Sequence, residues 1–373
     1  MTGTGIYVHI PFCPSRCDYC DFYTLTGCGQ LFEPYTRAVI GSLVSAPLAA
    51  GSEVDSVYFG GGTPTMLGAG RLGRLLAALK RQYRVTPDAE ITLEANPIAL
   101  TPAMLTELRE GGFNRISFGL QSSDAGQLRE LGRTHTAGKA AEAVRLARQA
   151  GFENISLDIM LGLPHQTVAE VLATVEFCAG LEVQHISAYM LKLEEGTPFA
   201  ARYTEADIDE EVQREIYLAA ARRLEQLGYR QYEISNFARE GYTSRHNLKY
   251  WRCKEYLGIG PAAASFLNGR RFTFPRDIQS FLDAGDPWRL PEDEGAGGGW
   301  EESVMMALRL TEGLSRPELD RRFPHRRDDT AALWDRASLL EPAGLLRRDG
   351  DLIQLTREGF LLSNSIISRL LWG

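Results

Sequence analysis

The sequence predicts an α/β protein: a partial (β/α)6 barrel of the TIM type, followed by a small winged-helix-like C-terminal domain. Three observations carry this. Short runs rich in β-branched and aromatic residues begin near Ile6, Val57, Ile91, Ile116, Ile155 and Ile186, with a further strand candidate at Tyr232. Longer helical patterns over 71–83, 137–150, 167–179 and 208–227 lie between or after them, and that alternation marks βαβ units on a parallel sheet. Consecutive units in this number favour a barrel or part of one, with an open doubly wound sheet as the alternative. Beyond residue 300, helical patterns over 302–308, 316–323 and 330–340 precede a two-stranded wing through 345–355, turned at Asp349-Gly350, and a last apolar helix over 360–371. The expected division is 1–235 for the barrel, 236–290 for a connecting region, 291–300 for a polar, glycine-rich linker and 301–373 for the C-terminal domain.

A chain of 373 residues suits a barrel-sized domain plus a smaller one. Hydrophobic content of 44% with 24% charged residues is that of an ordinary globular protein, and no apolar run has the length of a membrane span. The opening Met1-Thr-Gly-Thr-Gly lacks the basic start and apolar core of a signal peptide, so a cytoplasmic address is expected. Net charge is −8 with both signs interspersed, which gives no global field to attract nucleic acid. Arg321, Arg322, Arg326 and Arg327 make a local basic patch, but Asp320, Asp328 and Asp329 dilute it, and no nucleic-acid partner is expected.

Taken in order, the first strand, Ile6-Tyr7-Val8-His9-Ile10, runs into Cys13-Pro-Ser-Arg-Cys17-Asp-Tyr19-Cys20, a CxxxCxxC loop. Three thiolates at that spacing can wrap one face of a cubane iron–sulfur cluster, because iron favours soft ligands and short intervals let a loop curl around three corners. A [4Fe-4S] cluster then keeps one iron without a protein ligand. S-adenosylmethionine can chelate such an iron through its amino and carboxylate groups and accept an electron into its sulfonium bond. Structural zinc is the alternative, but it normally takes four ligands and no fourth is evident. A disulfide framework needs an even count and an oxidising compartment. Of the remaining cysteines, Cys178 lies in an apolar helical pattern and reads as a core thiol, and Cys28 and Cys253 read as structural.

Catalytic groups of such barrels stand at the C-terminal ends of strands. Those ends carry Gly61, Gly62 and Thr63 after Val57-Tyr-Phe, Glu94 after Ile91-Thr-Leu, Gln121 after Ser117-Phe-Gly-Leu, Asp158 within Ile155-Ser-Leu-Asp-Ile, and Tyr189 with Met190 after Ile186-Ser-Ala. Singly each reads equally well as a capping or surface group; their shared position argues for one site. Glycines in Gly60-Gly61-Gly62-Thr63-Pro64 let backbone amides approach a ligand, and the proline stiffens the turn. Further on, His246-Asn247-Leu248-Lys249-Tyr250-Trp251 sets an imidazole beside aromatic rings, suited to an axial heme ligand and a flat macrocycle, though a lone histidine there is more often a packing residue.

The loop Cys13-Pro-Ser-Arg-Cys17-Asp-Tyr-Cys20-Asp21-Phe22, together with Gly60-Gly61-Gly62-Thr63-Pro64, resembles the radical SAM superfamily. More narrowly, the chain is similar over nearly its whole length to the branch that holds oxygen-independent coproporphyrinogen III oxidase and the heme chaperone HemW. The resemblance implies a radical SAM barrel with Cys13, Cys17 and Cys20 as metal ligands. It further implies that Tyr7, Gly61, Gly62, Thr63 and Glu94 contact a first S-adenosylmethionine, that Gln121, Arg133 and Asp158 stand where the oxidase surrounds a second, and that Tyr19 and Met190 join the cofactor site. His246 opens HNxxYW, which resembles the heme-binding motif of the chaperone branch.

Two functions follow from the resemblance. One is a heme chaperone with a [4Fe-4S] cluster, S-adenosylmethionine and heme, delivering heme to acceptor proteins such as membrane-associated respiratory enzymes and reduced by a flavodoxin or ferredoxin. The other is oxidative decarboxylation of coproporphyrinogen III, in which adenosyl radicals abstract hydrogen from propionate side chains. The chaperone is favoured because Cys13 lies too near the start for the oxidase's N-terminal arm, because Phe22 stands where the oxidase would have another cysteine, and because HNxxYW is intact. Against it, Ala262-Ala263-Ala264-Ser265 lacks a histidine that the family pattern usually has there.

Overall fold

The computed structural model describes residues 3–98 and 100–373. Strands β1 (Thr4–Ile10), β2 (Glu53–Gly61), β3 (Arg84–Ala95), β4 (Arg115–Gln121), β5 (Asn154–Leu161) and β6 (His185–Met190) pair in parallel and in sequential order. A doubly wound sheet would reverse its order at a switch point. This one does not, so the arc is that of a barrel left open. The connections carry α1 (Phe32–Val44), α2 (Ala69–Gln82), α3 (Pro102–Gly111), α4 (Ala125–Glu130), α5 (Ala137–Gln149) and α6 (Val168–Gly180), with α7 (Pro198–Arg202) and α8 (Glu210–Gln226) after β6.

Several helices start on side-chain caps present in the sequence. Thr101, Thr136 and Thr167 cap α3, α5 and α6 by accepting from a backbone N–H three residues on, and Thr167 forms a full capping box with Glu170. On α2, Leu72, Leu75, Leu76 and Leu79 recur at helical spacing and are all buried.

Strand alternation sorts the sheet into two chemically different faces. Ile6, Val8, Ile10, Val57, Phe59, Leu93, Ile116, Phe118, Ile155, Leu157 and Ile186 are fully buried, and they occupy one set of alternate positions. The other set is polar: Tyr7 and His9 on β1, Ser56 and Tyr58 on β2, Thr92 and Glu94 on β3, Arg115 and Ser117 on β4, Ser156 and Asp158 on β5, His185 and Ser187 on β6. The aliphatic set lies in the main core with the helices, which leaves the polar set to line the concave side.

Both ends of the arc are extended. After β6, the hairpin of β7 (Arg230–Gln231) and β8 (Asn236–Ala238) adds antiparallel, with Tyr232 in its turn rather than at the start of a strand. Helix α9 (Arg245–Trp251) leads to β9 (Tyr256–Ile259), which lies parallel to β1, and β10 (Ala264–Leu267), β11 (Arg270–Thr273) and β12 (Glu292–Ala296) continue antiparallel, with α10 (Ile278–Asp283) between the last two. Strand β12 falls in the segment expected to be a linker. It is an edge strand whose Glu-Asp-Glu side chains face solvent, so it carries charge in place of apolar alternation.

The C-terminal part holds α11 (Trp300–Ala307), α12 (Arg316–Arg322) and α13 (Arg327–Leu340) beside a sheet ordered β13 (Leu314–Ser315), β15 (Leu352–Leu355), β14 (Leu346–Asp349). The expected wing is therefore present with a third strand. The expected last helix is two, α14 (Arg357–Leu361) and α15 (Ser363–Trp372), and Ile366, Ile367 and Leu370 turn the latter's apolar face inward. Bidentate contact of Arg214 with Glu358 and the pair Arg357–Glu225 tie this part to α8. Among the described residues, no helix is long and apolar enough to cross a membrane.

Candidate functional site

The cysteine loop leaves the end of β1; Cys13 N bonds to Leu25 O at 2.9 Å within the same connection, and Asp18 N to Leu131 O at 3.2 Å ties the loop to the residue after α4. Cys13 Sγ lies 3.5 Å from Thr63 Oγ1, and Arg133 Nη1 donates to Cys17 Sγ over 3.4 Å. All three thiols are partly exposed. Burial pushes the Cys13 thiol up to about 11 and also raises Cys20, and each feels the charge of neighbouring cysteines. Three soft donors that repel one another when ionised suit a cationic cluster that would hold them as thiolates. Gly62 makes the cradle: a Cβ there would stand 2.8 Å from Phe12 O and 3.1 Å from Cys13 Sγ. Among the described residues, no three His, Cys, Asp or Glu side chains are grouped as ligands of a single ion. Three partly exposed thiols on one loop beside the Gly62 cradle are a donor set whose chemistry fits the cluster, and Cys13, Cys17 and Cys20 are the residues that would hold it.

Next to the loop, Glu94 accepts from Tyr58 OH at 2.7 Å and from Gly61 N at 3.2 Å. Burial pushes its carboxyl up to about 7, with the charge of Asp158 adding to the effect. Gly61 has φ of +106°, and a Cβ on it would lie 2.7 Å from the His9 ring, so only glycine fits between Glu94 and β1. Asp158 accepts from Ser117 Oγ at 3.0 Å and is held above the usual carboxylate range by burial. Gln121 ends β4 with φ of +69°, a left-handed conformation that a side chain rarely adopts. Arg133 also donates to Gly119 O, and its charge reaches Asp158 and Tyr19. Tyr19 packs with Leu131, Leu163, Leu191 and Phe199 under the loop. Met190 reaches Gly162, where a Cβ would meet its Cε at 2.8 Å, and Tyr189 beside it is 42% exposed.

The fold therefore brings the cysteines, Thr63, Gly61, Gly62, Glu94, Arg133, Tyr19 and Asp158 to one end of the barrel. Strand-end reasoning missed His9 and Tyr58. His9 is buried, bonded to Tyr7 OH at 3.0 Å and to Tyr23 O at 3.2 Å, and burial holds it down to about 4, so it is a neutral ring. Both residues sit two positions from a residue already singled out, Tyr7 or Gly60, and the period-two pattern alone could have found them.

His246, expected at a heme, stands apart from the cysteine loop. It lies at the other end of the concave face, fully buried, with Nδ1 3.0 Å from Ser56 Oγ and Nε2 2.8 Å from Tyr250 OH. Burial holds it down to about 3, so it is a neutral imidazole with both nitrogens engaged. Glu90 accepts the backbone N–H groups of Arg245 and His246 and fixes the start of α9 across the barrel floor.

Residues 7–178 match the model of the radical SAM superfamily, and residues 299–362 match the HemN C-terminal domain. Over its length the chain is 33% identical to the heme chaperone HemW of Mycobacterium tuberculosis, covering 98% of this chain and 94% of that protein. It is 32% identical to the protein of that name from Bacillus subtilis and 33% to that from Escherichia coli, each with 98% of both chains covered. Among solved structures it is similar to the coproporphyrinogen III oxidase HemN of Escherichia coli, with a TM-score of 0.84 at 24% identity, covering 100% of this chain and 91% of that one. That likeness speaks for the fold. By sequence over its full length, the chain belongs to the HemW family of the radical SAM superfamily.

Proposed function

We propose that the chain is a heme chaperone: it binds heme, carries a [4Fe-4S] cluster with S-adenosylmethionine bound to it, and passes heme to acceptor proteins. The observation that supports this is the full-length similarity to relatives named heme chaperone HemW, which spans the barrel, the HNxxYW segment and the C-terminal part alike. In this reading Cys13, Cys17 and Cys20 hold the cluster, and Gly61, Gly62, Thr63, Glu94 and the Tyr7 region receive the methionine and ribose ends of S-adenosylmethionine. Once reduced, such a cluster supplies an electron to a sulfonium bond. Gln121, Arg133, Asp158, Tyr19 and Met190 complete the surrounding wall. The acceptors are membrane-associated respiratory proteins, the electron donor is a flavodoxin or ferredoxin, and the compartment is the cytoplasm. The six unpaired cysteines agree with a reducing compartment. The C-terminal domain, 301–373, serves as a lid or docking module.

The oxidase is the competing function. One assay separates the two: anaerobic reconstitution of the cluster, heme titration by absorbance, and a parallel incubation with coproporphyrinogen III and S-adenosylmethionine. Stoichiometric heme binding without protoporphyrinogen formation is expected. Product formation without specific heme binding would replace the chaperone reading by the oxidase.

A further inference from the structure

A cleft of about 410 Å3 opens beside the cysteine loop, where β1 meets the added strands β9 to β11. Its size is that of a small-ligand or cofactor site. Tyr7, Tyr250 and Tyr256 line it on the sheet side, and Phe22 and Tyr23 line it from the stretch after Cys20. Tyr250 and Tyr256 stack edge to face, with ring centroids 4.5 Å apart, and the hydroxyl of Tyr256 is fixed by Arg271 Nη1 at 3.0 Å. Phe22 is 65% exposed, an uncovered aromatic surface directly after a metal-ligating loop. Arg276 also lines the cleft, and its contacts to Asp21 are long, 3.6 Å to the carboxylate and 3.4 Å to the carbonyl, which leaves donors of the guanidinium for an anion.

We propose that this cleft is the heme site: the macrocycle lies against Tyr250 and Tyr256, at the side of the cleft away from the S-adenosylmethionine residue Tyr7, a propionate pairs with Arg276, and His246 is a positioning residue that holds Tyr250 from behind. The inference rests on the chaperone reading and deepens it. Its chemistry follows from the lining. Aromatic faces match a planar macrocycle, and one cation at the cleft matches a ligand that bears carboxylates. His246 shows none of its surface, and both its nitrogens are bonded within the protein, so what HNxxYW presents to the cleft is Tyr250. A larger cleft, about 1,040 Å3, lies between α8 and α14, but Glu210, Glu211 and Glu358 line it, and Arg214 there is already paired with the last two. Its carboxylates repel a propionate.

The test uses the full chain with its cluster reconstituted and hemin as the probe. Ala264 is exposed on the cleft wall, so bulk added there leaves the core untouched. Arg276→Ala is expected to weaken hemin binding about tenfold, the order of one charge-assisted pair, and Ala264→Trp to weaken it at least as much, with iron content and far-ultraviolet dichroism unchanged. Ala264→His places an imidazole at the macrocycle and is expected to shift the Soret band and the ferric EPR spectrum toward a nitrogen-ligated form. In His246→Gln the EPR ligand field is expected to stay that of the wild type while affinity falls. Wild-type affinity in both Arg276→Ala and Ala264→Trp, or loss of an axial nitrogen signature in His246→Gln, overturns the assignment while leaving a heme carrier. Absence of hemin binding by the wild type overturns the chaperone reading itself.

Discussion

Arg133 joins the cysteine loop to the barrel: Nη1 donates to Cys17 Sγ over 3.4 Å while Nη2 donates to the carbonyl of Gly119, near the end of β4. A half-buried guanidinium beside a sulfur that would hold a cluster favours the cluster's more negatively charged, reduced state. Arg133→Gln is therefore expected to assemble the cluster with normal iron content and to lower its reduction potential, read by EPR-monitored redox titration. An unchanged potential would show that the contact does not persist in the loaded protein.

Glu94 sets a pH dependence with a definite sign. Below its ordinary value of 4.5 the carboxyl is protonated whether folded or not; between 4.5 and about 7 only the unfolded chain releases the proton. Stability is therefore lost as pH rises through that window and levels off above 7, by about 3 kcal/mol in all. Glu94→Gln does not titrate, so its denaturation midpoint should gain on the wild type between pH 4 and 8. Its affinity for S-adenosylmethionine, measured by calorimetry on reconstituted protein, should fall.

Lys249 and Asp55 form a buried pair, Nζ to Oδ1 at 2.6 Å, and Lys249 also donates to Gly3 O at 2.6 Å. Removing one partner strands the other charge in a dry site. Asp55→Ala should cost about 3–5 kcal/mol in urea denaturation. Asp55→Leu with Lys249→Met should recover most of it, because neither charge then remains.

Gly62→Ala tests the cradle. A methyl 3.1 Å from Cys13 Sγ and 2.8 Å from Phe12 O forces the loop outward. Iron and sulfide bound after reconstitution should drop well below wild type, and the thermal midpoint of the apo protein should fall as well, since Ile10 and Phe12, whose carbonyls the methyl meets, belong to the core.

The strands were legible because burial on one face imposes a period of two. Ile6, Val8 and Ile10 alternate with Tyr7 and His9, and the same rule marks Tyr58 and Glu94 on their strands. The cysteine loop was legible because metal ligation by a loop depends on local spacing. Strand β12 was not, since an edge strand in solvent buries neither face, and its Glu292-Asp-Glu reads as a linker. For His246, a histidine beside aromatic rings reads the same from sequence wherever it packs, and only the folded chain shows its bonds to Ser56 and Tyr250.

By itself, then, the sequence determined the repeated βα units, the three-thiol loop and the glycine turn, all of which follow from interactions between residues close in the chain. Tertiary structure alone decided that Arg133 meets Cys17 across 116 positions, that Ser56 and His246 meet across 190, and that Tyr250 reaches the cleft while His246 does not. Such pairings depend on how the sheet curves and which helix crosses its floor, and that is a property of the packed whole that no local spacing encodes.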